Sequence, residues 1–280
     1  ATAIIDTSTK FNASKYLSNT IRLKPTHTFL LPAEGQLISS LIVDTGRKLP
    51  ATLKCVMFGS APVMVGFLDK FSKMVSSETE ILCIYGATEI LPISMTSIKD
   101  KLAYRGNGDF LGTPLPGMTI NMVNGEFIVF GPNLCSRYLH EKDNLHQFTS
   151  GDLGFVTKDG KIVLTGRKKD MIIKSHNNIY PALFEPTVSK ITGVKNCAFV
   201  GIYNESKQDE EIHLCVEKDH RAIKSNEVFI KYLYKEISCG EYSIDSYAFP
   251  DKIHIMQLPL AGRSRKIDKS QLRKMVSVTV

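Results

Sequence analysis

The sequence predicts an α/β unit joined to a smaller α+β unit, and three observations carry that expectation. Residues 53–58 (LKCVMF) and 80–85 (EILCIY) are apolar runs of strand length, with an amphipathic stretch at 63–75 between them. Asn124-Gly125 and Asp159-Gly160 each interrupt an alternating apolar pattern, the signature of a tight hairpin. Beyond Lys169 the pattern changes to short strands alternating with helices over residues 169–280, a length normal for a separate unit. Two domains are therefore expected, 1–168 and 169–280.

Taken in order, residues 1–50 mix short apolar runs with turn residues, including Lys24-Pro25-Thr26 and Leu31-Pro32. The run at 53–58 ends in Gly59-Ser60-Ala61-Pro62, which reads as a buried parallel strand delivering a loop of small residues. In the helix that follows, Val63, Phe67, Phe71 and Met74 fall at helical spacing. The strand at 80–85 leads to a glycine turn, Gly86-Ala87-Thr88-Glu89, and completes a βαβ unit. Ligands of such units sit beyond the carboxyl ends of the strands, where both loops fall. Residues 109–117 are turn-rich, 119–130 form a hairpin about Asn124-Gly125, and 150–154 (SGDLG) make an acidic turn. The Asp159-Gly160 hairpin then presents Asp152 and Arg167 near one end. Strands are expected at 171–174, 194–202, 211–217 and 252–256. Helices are expected at 181–191, opened by Pro181, and at 269–276. A third, at 225–237, has Ser225 as cap and Val228, Ile230, Leu233 and Ile237 facing inward.

At 280 residues, 43% apolar and 22% charged, the chain has the composition of an ordinary globular protein. No apolar run reaches the roughly 18–20 residues of a membrane span, and no secretory signal pattern is present, so the cytoplasm is the expected location. Six cysteines without close spacing, most within apolar runs, read as buried free thiols rather than zinc ligands or disulfides. The seven histidines lack metal-ligand spacing, His27 and His176 being the two of interest. The net charge of +7 comes mainly from residues 160–280, which carry 20 basic and 14 acidic side chains. The basic clusters lack the interleaved aromatics of a single-strand nucleic-acid binder, so an anionic nucleotide or CoA-like acceptor is the better match.

A carboxylate and a guanidinium placed like Asp152 and Arg167 suit a ribose diol and a neighbouring phosphate, although a hairpin with solvated charges has the same pattern. Gly59, Ser60 and Ala61 would let backbone approach a flat ring. Tyr85, followed by Gly86, would stack on that ring. The Thr88 hydroxyl suits a phosphate oxygen, and the Glu89 carboxylate suits Mg²⁺.

The motifs GSAP, YGATE, TSGDLG, GRKKD and IYP, in that order along nearly all 280 residues, resemble the adenylate-forming superfamily of acyl-CoA synthetases, luciferases and peptide-synthetase adenylation domains. The resemblance implies a C-terminal portion of the large AMP-binding domain, including a small β-barrel-like subdomain, followed by a small mobile lid. By resemblance, Gly59, Ser60, Ala61, Tyr85 and Gly86 form the adenine platform, and Thr88 contacts the α-phosphate. Glu89 holds Mg²⁺, Asp152 holds the ribose, and Arg167 lies near ribose and α-phosphate. Lys169 is the hinge, Lys266 is the lysine that enters the site during adenylation, and residues 11–32 help wall the acyl pocket. The implied ligands are ATP/AMP, Mg²⁺, a carboxylic acid of fatty-acid type, and CoA.

Three departures matter. Relatives carry an upstream Ser/Thr/Gly-rich phosphate loop, and neither Gly106-Asn107-Gly108 nor Gly262-Arg263-Ser264 sits in that context. The expectation is a fragment lacking its N-terminal portion, with doubtful activity alone. Arg265 stands where the family has glycine before the lysine, leaving Arg265 and Lys269 as substitutes for Lys266. Residues 174–178 (KSHNN) lack the glycines of the loop lining the CoA channel. The stretches GSAPV and YGATEILP are similar to the β-lactone synthetases of olefin biosynthesis, which use no CoA, and a non-catalytic nucleotide-binding remnant is the third reading.

Overall fold

A computed structural model describes residues 2–4, 10–219, 225–262 and 265–277. Helix α1 (Ala13–Leu23) opens with the Asn12 side chain accepting from the Lys15 N–H at 2.9 Å and leads into β1 (His27–Leu30). Helix α2 (Pro32–Thr45) follows, then β2 (Cys55–Phe58), α3 (Val65–Ser72) and β3 (Glu80–Ala87). Strands β1, β2 and β3 pair in parallel, which confirms the βαβ expectation at 53–85 and adds a crossover before it. Their core is apolar on both faces: Leu17, Leu30, Ile38, Val56, Phe58, Leu68 and Phe71 are buried, with Phe58 edge-on to Phe67 and Phe71.

Strand β4 (Ile90–Ser97) returns antiparallel to β3 across a two-residue turn at Thr88-Glu89. Helix α4 (Ile98–Ala103), β5 (Asp109–Pro114), β6 (Thr119–Val123), β7 (Glu126–Phe130), β8 (Phe148–Val156) and β9 (Ile162–Arg167) complete a nine-stranded sheet. Its order is β1-β2-β3-β4-β5-β9-β8-β7-β6. Both expected hairpins are present, with Asn124 and Gly125 at positive φ as a tight two-residue turn requires.

A short 3₁₀ turn at Lys168–Asp170 ends the large sheet. Beyond it lie the ribbon β10 (Ile172–Lys174) and β11 (Asn177–Ile179), helix α5 (Pro181–Val188), β12 (Val194–Asn204), β13 (Asp209–Lys218), helix α6 (Asn226–Cys239) and β14 (Lys252–Ile255). The two-residue ribbon strands β15 (Leu260–Ala261) and β16 (Lys266–Ile267) precede helix α7 (Lys269–Ser277). Strands β12, β13 and β14 form a second sheet with a core on each face, one under α5 and α6 and one under α7.

Several expectations are corrected. Residues 150–154 are not a turn: they run through β8, with the ladder shifting register at Leu153/Gly154. Gly86 is likewise inside β3, at a bulge, and most of the turn-rich stretch 109–117 is β5. The expected β-barrel-like strands are present with a core cluster of their own, and the β4–β5 pairing links them to the parallel strands. Helices α2 and α4 were not expected. In α6 the buried residues are Phe229, Leu233 and Ile237, while Val228 is 58% exposed, and Ser225 makes no side-chain cap bond. Cys55, Cys83, Cys197 and Cys215 are buried thiols, but Cys239 is exposed. No helix among the described residues is long and apolar enough to cross a membrane.

Candidate nucleotide and acyl site

Asp152 and Arg167 are direct cross-strand partners in the β8–β9 ladder, so the hairpin register itself puts carboxylate beside guanidinium. Asp152 is only 4% exposed. Its Oδ2 accepts from the Tyr85 hydroxyl at 2.7 Å, joining the end of β3 to β8. Its Oδ1 lies 2.7 Å from Arg167 Nε, yet no donor is aligned with it as a hydrogen bond requires. A buried carboxylate oxygen with an unfilled acceptor site is costly, and a hydroxyl placed there would satisfy it. Burial, with the negative Asp152 beside it, pushes the Tyr85 phenol well above its ordinary value, so Tyr85 remains a donor.

Tyr85 and Arg167 border a cavity of about 620 Å³, within the range of small-molecule sites, while Asp152, which they hold, is not among its lining residues. Ser60, Ala61, Tyr85, Gly86, Arg167 and Lys169 line it, as do Lys266, Lys269 and Arg273. Seven basic and four acidic side chains surround it, a balance that favours an anionic ligand. Lys101 is buried against Asp109 and the Phe110 carbonyl, and Lys269 pairs with Glu185 at 2.8 Å. Lys269 is thus engaged in packing α7 onto α5, which argues against it as a substitute for Lys266.

Lys266, in β16, is half-buried, and its ammonium is pushed below the ordinary lysine value. Desolvation is the main cause, followed by Arg167, with Asp152 opposing and Lys169 adding to the depression. Lys266 therefore stands within the field of the Asp152–Arg167 pair. Arg265 adopts φ 50°, the left-handed region, so this turn keeps a glycine-like backbone without a glycine. Arg263 and Ser264, part of the same expected loop, lie outside the described residues.

Other expected site residues are placed less directly. Gly59 is buried behind the cavity against Phe29, while Ser60 and Ala61 face it. Thr88 and Glu89 form the β3–β4 turn and are not among the lining residues. The Glu89 carboxylate accepts from the Tyr138 hydroxyl at 2.8 Å. Among the described residues no cluster of three or more metal-ligating side chains occurs. One hard carboxylate nonetheless fits Mg²⁺ of the kind held chiefly by phosphate oxygens. Pro32 reaches the cavity, whereas Leu17 and Leu30 of the same expected pocket segment belong to the core. His27 is exposed and bonded to Thr26, and His176 sits in the β10–β11 turn. Gln36, Asn196 and Glu185 also line the cavity, and sequence reasoning did not find them because their partners are distant in the chain.

A parallel βαβ edge, the Asp152–Arg167 pair and the Lys266 ribbon are arranged as the resemblance to adenylate-forming enzymes implies. Residues 1–139 match the AMP-binding enzyme family. A 2-succinylbenzoate–CoA ligase from Bacillus mycoides is 25% identical over 258 residues, covering 85% of this chain and 51% of the relative. The chain thus spans about half the length of such curated relatives. Two solved structures share the fold. An anthranilate CoA ligase in complex with anthranoyl-AMP has TM-score 0.80 and 19% identity, over 96% of this chain and 53% of that one. An amide bond synthetase from Marinactinospora thermotolerans has TM-score 0.77 and 21% identity, over 95% and 56%.

Proposed function

We propose that the chain is the C-terminal portion of an ATP-dependent, AMP-forming carboxylate–CoA ligase. The observation that carries this reading is the buried Asp152 carboxylate, with an unfilled acceptor, held by Tyr85 and Arg167, which line the same cavity as Lys266. Asp152 would take a ribose hydroxyl, Tyr85 would stack on adenine, and Arg167 and Thr88 would contact the α-phosphate. Glu89 would hold Mg²⁺, which supplies charge neutralisation on the phosphates when bound. A substrate carboxylate oxygen would attack the α-phosphorus, forming the acyl-phosphate bond as pyrophosphate leaves. Lys266 would stabilise the charge building on the α-phosphate oxygens. A CoA thiolate would then attack the acyl carbon and release AMP. We further propose that residues 1–168 and 169–280 act as separate domains, with Lys169 as the hinge between the two steps.

The relatives named for 2-succinylbenzoate and anthranilate weaken the expectation of a fatty acid and favour a carboxylic acid of aromatic type. In the full-length protein, Lys266→Ala should lower ATP–pyrophosphate exchange by roughly 10²–10³-fold, as loss of one transition-state donor does. Thioester formation from supplied acyl-AMP should be largely spared. Equal loss in both half-reactions would refute the role of Lys266.

A further inference from the structure

Besides the packing of α5 on β9 and β5, two contacts join the part of the chain beyond Lys169 to helices α2 and α3 close to the cavity. Gln36 in α2 and Asn196 at the start of β12 form a reciprocal amide pair. Gln36 Nε2 donates to Asn196 Oδ1 at 2.8 Å, and Asn196 Nδ2 donates back to Gln36 Oε1 at 3.3 Å. Asn196 is preset for this: its Nδ2 also donates to Glu217 Oε2 at 2.8 Å, and the other oxygen of Glu217 is held by Lys195 at 2.6 Å. The β12–β13 ladder shifts register between Val194 and Asn196, so local backbone irregularity aims this side chain. The second contact is steric. A Cβ on Gly66 in α3 would stand 2.1 Å from the Ser189 carbonyl oxygen at the end of α5, so the two helices meet only because position 66 is glycine.

We propose that the Gln36–Asn196 pair is a clasp that positions Lys266 for acyl-AMP formation and must open before the second half-reaction. This rests on the functional reading above, in which Lys266 serves the first step alone. Both amides line the same cavity as Lys266 and Arg167, so the clasp closes the wall of the site it positions. The contact is between neutral groups with modest net strength in water, strong enough to bias docking and weak enough to release each cycle. An ion pair there would be screened or, if desolvated, costly to break. The pair is a positioning device: it touches neither reacting atom.

The test has two independent arms. In the full-length protein, with Cys239→Ser to remove an exposed thiol, Gln36→Cys and Asn196→Cys together should be joined by a short bismaleimide, giving an intramolecular product that neither single variant gives. In the full-length protein, Gln36→Ala and Asn196→Ala should each slow acyl-AMP formation about tenfold, the scale of a lost amide pair. Conversion of supplied acyl-AMP should be unchanged or faster, and the double variant should be no worse than either single one. The cross-linked enzyme should form acyl-AMP but lose the second step, because it cannot undock. Failure to cross-link overturns the clasp whatever the enzyme's activity. So does equal loss in both half-reactions, or additive loss in the double variant. If the unmodified full-length protein forms no acyl-AMP while the cross-link still forms, the functional reading fails and the contact is only structural.

Discussion

Replacing Asp152 with alanine tests the centre of the site, because this carboxylate has a structural and a binding task that separate on the page. Structurally, Asp152→Ala leaves the Tyr85 hydroxyl without its 2.7 Å acceptor, and an unsatisfied buried hydroxyl costs about 1–3 kcal/mol. The Arg167 side chain is 41% exposed, so solvent screening limits its ion-pair contribution to at most about 1 kcal/mol. The expected destabilisation is about 2–3 kcal/mol, large enough to read in a denaturant titration. In binding, a ribose hydroxyl donating to a carboxylate contributes about 1.5–3 kcal/mol, or roughly 10- to 150-fold in affinity. Calorimetric titration of the full-length protein with AMP and with 2′,3′-dideoxy-AMP should therefore show a clear preference for AMP. In Asp152→Ala that preference should vanish, with AMP falling to the level of the dideoxy analogue. Asp152→Asn keeps an acceptor for Tyr85, so it should recover most of the stability while still weakening AMP. Equal binding of the two nucleotides by the unmodified protein, or a persisting preference in Asp152→Ala, would refute the ribose assignment.

Two further outcomes follow from strain and titration. Arg265→Gly relieves a non-glycine residue held at φ 50°, a conformation costing about 1–2 kcal/mol, against a smaller entropic cost of glycine. A net gain of about 0.5–1 kcal/mol is expected, and an unchanged or lower melting temperature would contradict the strain argument. His213 and His254 stack on β13 and β14 with His254 Nε2 3.0 Å from His213 Nδ1, and burial depresses both imidazoles. Glu211 opposes this for His213, while Lys252 adds to the depression of both. The unfolded chain therefore binds more protons than the folded one below about pH 6.5, so stability present above that value is lost as pH falls through the lower folded pKa values. His254→Gln should flatten the pH dependence of the denaturant midpoint between about pH 5 and 7, and an unaltered profile would show that these rings do not govern it.

The legible parts of the fold were those whose cause is local. Asn124-Gly125 and Asp159-Gly160 announce their hairpins because a two-residue turn needs backbone that few residues adopt. The parallel strand at Cys55–Phe58 announces itself because burial on both faces leaves no polar alternation. Helix α2 was hidden by a mixed pattern, including Gly35, Ser39 and Ser40, although Pro32 and the Glu34 carboxylate on the Leu31 N–H are start signals. In α6 Leu233 and Ile237 are buried as expected and Ile230 packs against the core, but Phe229 rather than Val228 faces inward, since both are apolar and only packing decides between them. At the site, the Asp152–Arg167 pairing followed from the hairpin register. The Tyr85–Asp152 bond joins residues 67 apart and the Gln36–Asn196 pair residues 160 apart, separations at which no sequence period carries a signal. Ser175, His176 and Arg265 stand where the family pattern has glycines, and their backbones occupy the left-handed region, a conformation the sequence of these residues does not announce.

The same site explains why a neutral clasp is useful there. Arg167, Lys169 and Lys266 converge near one carboxylate, Asp152, and the depressed Lys266 ammonium records the cost of desolvation and like charge. Without an anion, electrostatics alone oppose bringing Lys266 to this position. A phosphate placed among these cations would reverse the sign of that contribution and favour docking in proportion to its charge. A charged clasp would add its own salt and pH dependence to this balance. On the proposed reading, the Gln36–Asn196 amides instead supply a bias that carries no charge of its own, leaving the coming and going of the anion as the main variable that decides whether Lys266 is held at the site.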